Sequence, residues 1–266
     1  MSKRIELIAT DMDGTLLDSK KNIPDDFYDW VKEHDKVKFI IASGRQYRSL
    51  DREFVPVHDK LIYIAENGAL ILKNDEVLHC DALSTEDVIY CFDMIDKLPC
   101  GKALASGVKS AYIENPNEHE WHVVSTFCGK IDKVDSIYEA IKDDQIVKIA
   151  IYYKDKDAEA HLSDYDVLPE RIKPVLSGDS WIDLSTSTVS KGAAMKVIQE
   201  KLGVSPLNCM AFGDYFNDVD LLEACEESYC MKNAHPDMFQ YAKYVAPSND
   251  ESGVMQVIKS GKYDFG

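Results

Sequence analysis

Ile5-Glu6-Leu7-Ile8-Ala9-Thr10 runs directly into Asp11-Met12-Asp13-Gly14-Thr15. The first part, apolar but for Glu6 and Thr10, reads as a buried strand. The second part sets two carboxylates two positions apart, beside a glycine that lets the chain turn. The same junction recurs twice. Val37 to Ala42, rich in Val, Ile and Phe, ends in Ser43-Gly44-Arg45, and Asn208 to Phe212 ends in Gly213-Asp214-Tyr215-Phe216-Asn217-Asp218. Ligands of open parallel sheets bind beyond the carboxyl ends of the strands. The three polar clusters are therefore expected to meet on one edge.

The segments between them support a parallel sheet. Pro24 to His34 and Gln46 to Val55 read as helices, and Leu61 to Ala65 as a third strand. That strand–helix–strand rhythm implies right-handed crossovers. Ala69 to Leu72 and Val77 to Cys80, around Lys73-Asn74-Asp75-Glu76, read as a hairpin. From about Leu83 the rhythm changes. A capped helix over Ser84 to Lys97 precedes short strands near Ala103 and Ala111, helices over Glu118 to Phe127 and Lys133 to Lys142, and strands at Val147 to Tyr153, Ile172 to Ser177 and Trp181 to Leu184. The first rhythm then resumes with a helix over Ser190 to Leu202, whose Ala194, Val197, Ile198 and Leu202 form an apolar stripe. Helices over Val219 to Ala224, Pro236 to Ala242 and Gly253 to Ser260 follow, with a strand near Tyr229 to Met231. The expected fold class is α/β. A core over 1–82 and 186–266 carries an inserted α+β domain over 83–185.

Composition narrows the function. The chain has 266 residues, 45% hydrophobic and 29% charged, an ordinary globular mixture. Its longest apolar runs, such as Leu61 to Ala65, fall far short of the roughly 20 residues of a membrane helix. Glu6 interrupts the run behind the basic start, so no signal peptide is read. The expected compartment is the cytoplasm. Its 7 Cys show no CxxC pair, which argues against a disulfide framework or thiolate zinc site. A net charge of -17 argues against nucleic acid. It leaves room for small phosphorylated ligands, because a bound divalent cation inverts the charge of a pocket.

The clustered carboxylates supply the reason to expect such a cation. Asp11, Asp13, Asp214 and Asp218 repel one another unless a cation intervenes. All-oxygen ligation suits Mg²⁺. Read singly, each cluster is also an ordinary turn after a strand; their shared edge favours chemistry. Ser43 and Gly44 offer a hydroxyl and permissive backbone to an anion. Lys191 stands at a helix start, where anions are already favoured, although a lysine there is also an ordinary surface charge.

Asp11-Met12-Asp13-Gly14-Thr15, Ser43-Gly44-Arg45, Lys191 and Gly213-Asp214-xx-Asn217-Asp218 follow the order of the four motifs of the haloacid dehalogenase superfamily, which the chain resembles over essentially its whole length. The long insert, matched by placement and size, and Asn67-Gly68-Ala69 resemble the Cof-type phosphatases with a large α+β cap. The resemblance implies a Rossmann-like core and a Mg²⁺-dependent phosphatase of small phosphorylated metabolites. Asp11 would be the nucleophile, forming an aspartyl-phosphate, and Asp13 the general acid and base. Mg²⁺ would sit on the Asp11 side chain, the Asp13 carbonyl and Asp214, with Asp218 supporting from behind. Ser43, Gly44, Lys191 and Asn217 would bind phosphoryl oxygens. A phosphosugar mutase and a non-catalytic phospholigand-binding protein are the alternatives. A monomer or small homo-oligomer is expected, with selectivity set by the cap, where Lys109, Tyr112, Asn115, His119 to His122 and Trp181 are candidates that also read as ordinary surface or packing residues.

Overall fold

The computed structural model describes residues 2–98 and 101–266. It divides into two compact units, residues 1–79 with 190–266, and residues 80–189. Against the expected breaks at 82/83 and 185/186, the excursion starts at the end of the hairpin strand Glu76–Cys80 and ends after the strand Trp181–Thr186.

An eight-stranded sheet organises the first unit. Its order is Tyr244–Ala246, Glu227–Met231, Cys209–Gly213, Leu7–Asp11, Lys38–Ala42, Leu61–Ala65, Leu70–Lys73 and Glu76–Cys80. The strands from Tyr244–Ala246 to Leu61–Ala65 pair in parallel, and Leu70–Lys73 pairs antiparallel with Leu61–Ala65. Leu7–Asp11 lies near the centre, with Thr10 opposite Phe212 on one side and Asp11 opposite Ala42 on the other. Every residue of this strand is buried, which explains why it begins with the apolar run Leu7-Ile8-Ala9: both faces are covered. Leu7 and Ala9 face the helices Lys191–Leu202 and Val219–Glu223, joining Ala194, Met195, Ile198, Leu221 and Leu222 in one core. On the other face the helix Phe27–Glu33 brings Phe27 edge-on to Phe39, ring centroids 5.1 Å apart.

Several elements depart from expectation. Leu202 is 46% exposed at the end of its helix, and Met195 takes its place in the stripe. The hairpin loop shrinks to Asn74-Asp75, with φ of 51° and 64°, because two left-handed residues match the twist of the flanking strands. The edge strand Tyr244–Ala246 was not expected, nor was the parallel pairing of Lys3–Arg4 with Tyr263–Asp264.

The second unit has its own six-stranded sheet, ordered Ile172–Leu176, Trp181–Thr186, Ile146–Tyr152, Lys102–Gly107, Ala111–Glu114 and Ile131–Val134. The helix Thr85–Ile95, capped by the Ser84 hydroxyl, packs Val88, Cys91, Phe92 and Ile95 on one face. The helix expected over Lys133 to Lys142 is instead a strand followed by the short helix Ile137–Ala140. Ile131 to Val134 finds a parallel partner in Ala111–Glu114, and that pairing overrides weak helical periodicity. Cys100 lies outside the described residues. No helix among the described residues is long and apolar enough to cross a membrane.

Candidate active site

Three adjacent strand ends deliver the polar clusters to one edge of the first sheet, because Cys209–Gly213 and Lys38–Ala42 both flank Leu7–Asp11. Asp11 closes the central strand and is buried. Behind it the chain turns sharply. Gly14 adopts φ +84°, and Leu17 N–H donates to Met12 C=O at 2.9 Å. A Cβ on Gly14 would stand 2.4 Å from Asp214 Oδ2. The glycine thus serves both the turn and the space beside Asp214.

Lys191 is the first residue of its helix. The Ser190 hydroxyl caps that helix by accepting from Ala193 N–H at 3.0 Å. The Lys191 side chain is wholly buried, and its Nζ donates to Asp11 Oδ1 at 2.5 Å and Asp218 Oδ1 at 2.6 Å. Asp218 Oδ2 accepts from the backbone N–H groups of Asp214 and Tyr215, at 3.0 and 3.2 Å. That carboxylate therefore shapes the loop that presents Asp214. Thr15 Oγ1 donates to Asp214 Oδ1 at 2.8 Å.

The electrostatics follow from burial. Burial drives the Asp11 carboxyl upward; Lys191 opposes this, while Asp218 and Asp214 add to it. Burial also pushes Asp214 up to about 6, against the Thr15 hydrogen bond and with help from the Asp218 charge. Burial works to lower Lys191, but Asp11 and Asp218 outweigh it and hold the ammonium firmly protonated. One carboxylate oxygen from each of Asp11, Asp214 and Asp218 lies within 4.8 Å of the others. Three carboxylates around one ammonium leave an anionic excess, and the donors are all oxygen. This set, with the space that Gly14 preserves, fits a hard divalent cation.

Asp13 points into a different environment. Arg45 grips its carboxylate through Nε at 2.8 Å and Nη2 at 2.5 Å, and Lys21 Nζ donates at 2.7 Å. Burial pulls the Asp13 carboxyl upward, but Arg45 and Lys21 together hold it below its ordinary value. Ser43 is buried, and its Oγ accepts from Arg45 N–H at 3.2 Å. Asn217 is exposed and donates to Asn67 Oδ1 at 3.1 Å.

All of the expected core residues thus gather at one edge of the sheet. The sequence reading gave no role to Thr15 and Arg45, although both stand inside the quoted motifs. It had no signal for Lys21, which reaches Asp13 from a separate turn, or for Asn233, whose Nδ2 donates to Gly14 C=O at 2.7 Å. In the second unit Tyr112 packs into a hydrophobic core and donates to Asp144 at 3.0 Å. Trp181 packs against Phe127 and Tyr152. Lys109, Asn115, His119 and His122 are exposed.

A parallel sheet with a lysine-braced acidic cluster on its carboxyl edge defines a hydrolase of the haloacid dehalogenase-like family; the family's model matches residues 8–258, and the chain belongs to it. Among its members the chain is a phosphatase. It is 26% identical over 259 residues to the 5-amino-6-(5-phospho-D-ribitylamino)uracil phosphatase YbjI of Escherichia coli (strain K12), covering 96% of this chain and 95% of that protein. Phosphatase YwpJ of Bacillus subtilis (strain 168) is 26% identical over 286 residues, covering 96% and 99% respectively. The crystal structure of SMU.1108c from Streptococcus mutans UA159 superposes with a TM-score of 0.83 at 29% identity, covering 96% of this chain and 98% of that one.

Proposed function

We propose that this phosphatase hydrolyses small phosphorylated metabolites, sugar phosphates or similar phosphomonoesters, with Mg²⁺ and through an aspartyl-phosphate on Asp11. The observation that carries this reading is the buried Lys191 ammonium between Asp11 Oδ1 and Asp218 Oδ1. It fixes one oxygen of Asp11, while Asp11 Oδ2 makes no hydrogen bond among the described residues. A carboxylate so oriented suits in-line attack on phosphorus.

The Asp11 side chain, the Asp13 carbonyl and Asp214 would hold Mg²⁺. Bound there, it supplies charge neutralisation between an anionic nucleophile and an anionic phosphate. In the first step an Asp11 oxygen bonds to phosphorus and the bond to the leaving oxygen breaks. Asp13 donates a proton to that oxygen. In the second step water attacks phosphorus and gives its proton to Asp13. The bond from Asp11 to phosphorus breaks, and inorganic phosphate leaves. Lys191, the Ser43 hydroxyl, the Gly44 backbone and the Asn217 amide bind the phosphoryl oxygens. Arg45 and Lys21 favour the anionic Asp13 that the second step needs. A phosphate dianion beside Asp13 counters them and favours the protonated acid of the first step.

The inserted unit, residues 80–189, is the proposed source of discrimination among leaving groups. The substrate named for YbjI, a phosphorylated ribityl compound, belongs first in a substrate panel compared by kcat/KM. The test of mechanism is hydrolysis of an aryl phosphate with Mg²⁺ or with a chelator, by the parent and by Asp11→Asn. The parent is expected to need Mg²⁺, and Asp11→Asn to fold but not turn over. Substantial turnover by folded Asp11→Asn removes the covalent mechanism.

A further inference from the structure

Glu66-Asn67-Gly68 has no part in the chemistry above, yet it touches three of the loops that do. Glu66 and Asn67 are both left-handed, with φ of +51° and +57°. Asn tolerates that conformation and most side chains do not. The turn is tied to the Ser43–Arg45 loop: Glu66 N–H donates to Arg45 C=O at 3.1 Å and Asn67 N–H to Ser43 C=O at 3.0 Å. The Asn67 amide lies across Gly44, where a Cβ would stand 2.9 Å from Oδ1 and 3.0 Å from Nδ2. The same Oδ1 accepts from Asn217 Nδ2 at 3.1 Å. Gly68, at φ +111°, passes so close to the cap of the Lys191 helix that a Cβ would stand 2.2 Å from Ser190 C=O.

We infer that Asn67 is a positioning residue for the phosphoryl group, acting by holding the Asn217 amide in register with the Ser43–Gly44 loop. This rests on the function proposed above. Asn217 Nδ2 carries two N–H groups. Donating one to Asn67 fixes the amide plane and directs the other. Gly44 lacks the side chain that would displace the Asn67 amide, so the packing and the hydrogen bond depend on each other. Two successive strained residues are a conformational cost of the sort that persists where surrounding structure enforces it. Here the enforcing contacts are the loops of the phosphoryl site.

The experiment is a double-mutant cycle of Asn67→Gly and Asn217→Ala, read by aryl phosphate hydrolysis and by binding of inorganic phosphate in Mg²⁺. Asn67→Gly keeps the left-handed backbone and deletes only the amide. It is expected to lower kcat/KM roughly tenfold, since small misplacements of positioning groups are costly, with its unfolding midpoint close to the parent. The double variant is expected to lose no more than about twofold beyond the worse single, because the two residues act as one unit. Phosphate binding is expected to weaken in the same pattern. Parental kcat/KM in Asn67→Gly, or losses that multiply in the double variant, overturn the inference. A parent that binds phosphate without turnover is scored by binding alone. A parent that neither turns over nor binds phosphate overturns the proposed function, and this inference falls with it.

Discussion

Replacing Lys191 by Met tests how the acidic cluster is held together. Met preserves most of the volume and removes the ammonium that, among the described residues, pairs with Asp11 and Asp218. Lys191 is fully buried, and the carboxylate side chains it bridges are 9% and 1% exposed. Removing one partner of a buried ion pair costs about 3–5 kcal/mol, because the other charge is left uncompensated. At about 2–4 °C per kcal/mol for a unit of this size, the melting temperature of metal-free Lys191→Met is expected to fall by roughly 6–20 °C. The assay is thermal unfolding followed by circular dichroism at neutral pH with chelator present. A companion, Lys191→Met/Asp11→Asn, removes one stranded carboxylate as well and is expected to recover much of the loss. The double variant is inactive by the proposed mechanism, so its recovery reads stability alone. A melting temperature within about 2 °C of the parent for the single variant, or no recovery in the double, refutes the idea that burial of unbalanced charge governs this site.

Two further outcomes are expected. Gly14→Ala places a methyl 2.4 Å from Asp214 Oδ2 on a backbone of φ +84°, so activity is expected to drop at least about tenfold as Asp214 is displaced, on the scale of small misplacements in a site; unchanged kcat/KM in this variant counts against Asp214 as a ligand. Glu227 accepts from Lys3 at 2.6 Å and Tyr263 at 2.5 Å. Burial raises its carboxyl, but Lys3, Tyr263 and Lys243 outweigh burial and hold it below its ordinary 4.5. A depressed carboxyl contributes stability above its unfolded value and loses it as pH falls through the folded one. Urea unfolding is expected to show Glu227→Gln less stable by about 1–3 kcal/mol at neutral pH, with the gap closing below about pH 4.5; a gap constant across that range argues that the charge contributes nothing.

The parallel core was legible because its inner strands are buried on both faces and so read as apolar runs, three of which end in the polar clusters. Leu7–Asp11 shows this directly. The edge strand Tyr244–Ala246 was not legible, since Val245 is 57% exposed and, among the described residues, Glu227–Met231 alone pairs with it. Within the site, residues on strand ends and on one helix start could be placed by pattern. Lys21 could not, because its approach to Asp13 depends on the path of an irregular turn. Nor could the engagement of Asn67 with Asn217, 150 positions away. Short polar contacts between loops leave no periodicity to read; they follow only once the sheet order has set which loops are neighbours.

That sheet order also has a consequence for synthesis. Leu7–Asp11 is made well before its sheet neighbour Cys209–Gly213, with residues 80–189 in between. On the ribosome the central strand gains Lys38–Ala42 early and keeps its other edge bare until Cys209–Gly213 emerges. Meanwhile residues 80–189 hold a complete sheet and core of their own. Vectorial folding would then close this intervening piece first and the acidic cluster last. A stalled or truncated chain ending before Cys209 would expose the unpaired edge of a central strand, the kind of surface that recruits chaperones or aggregates.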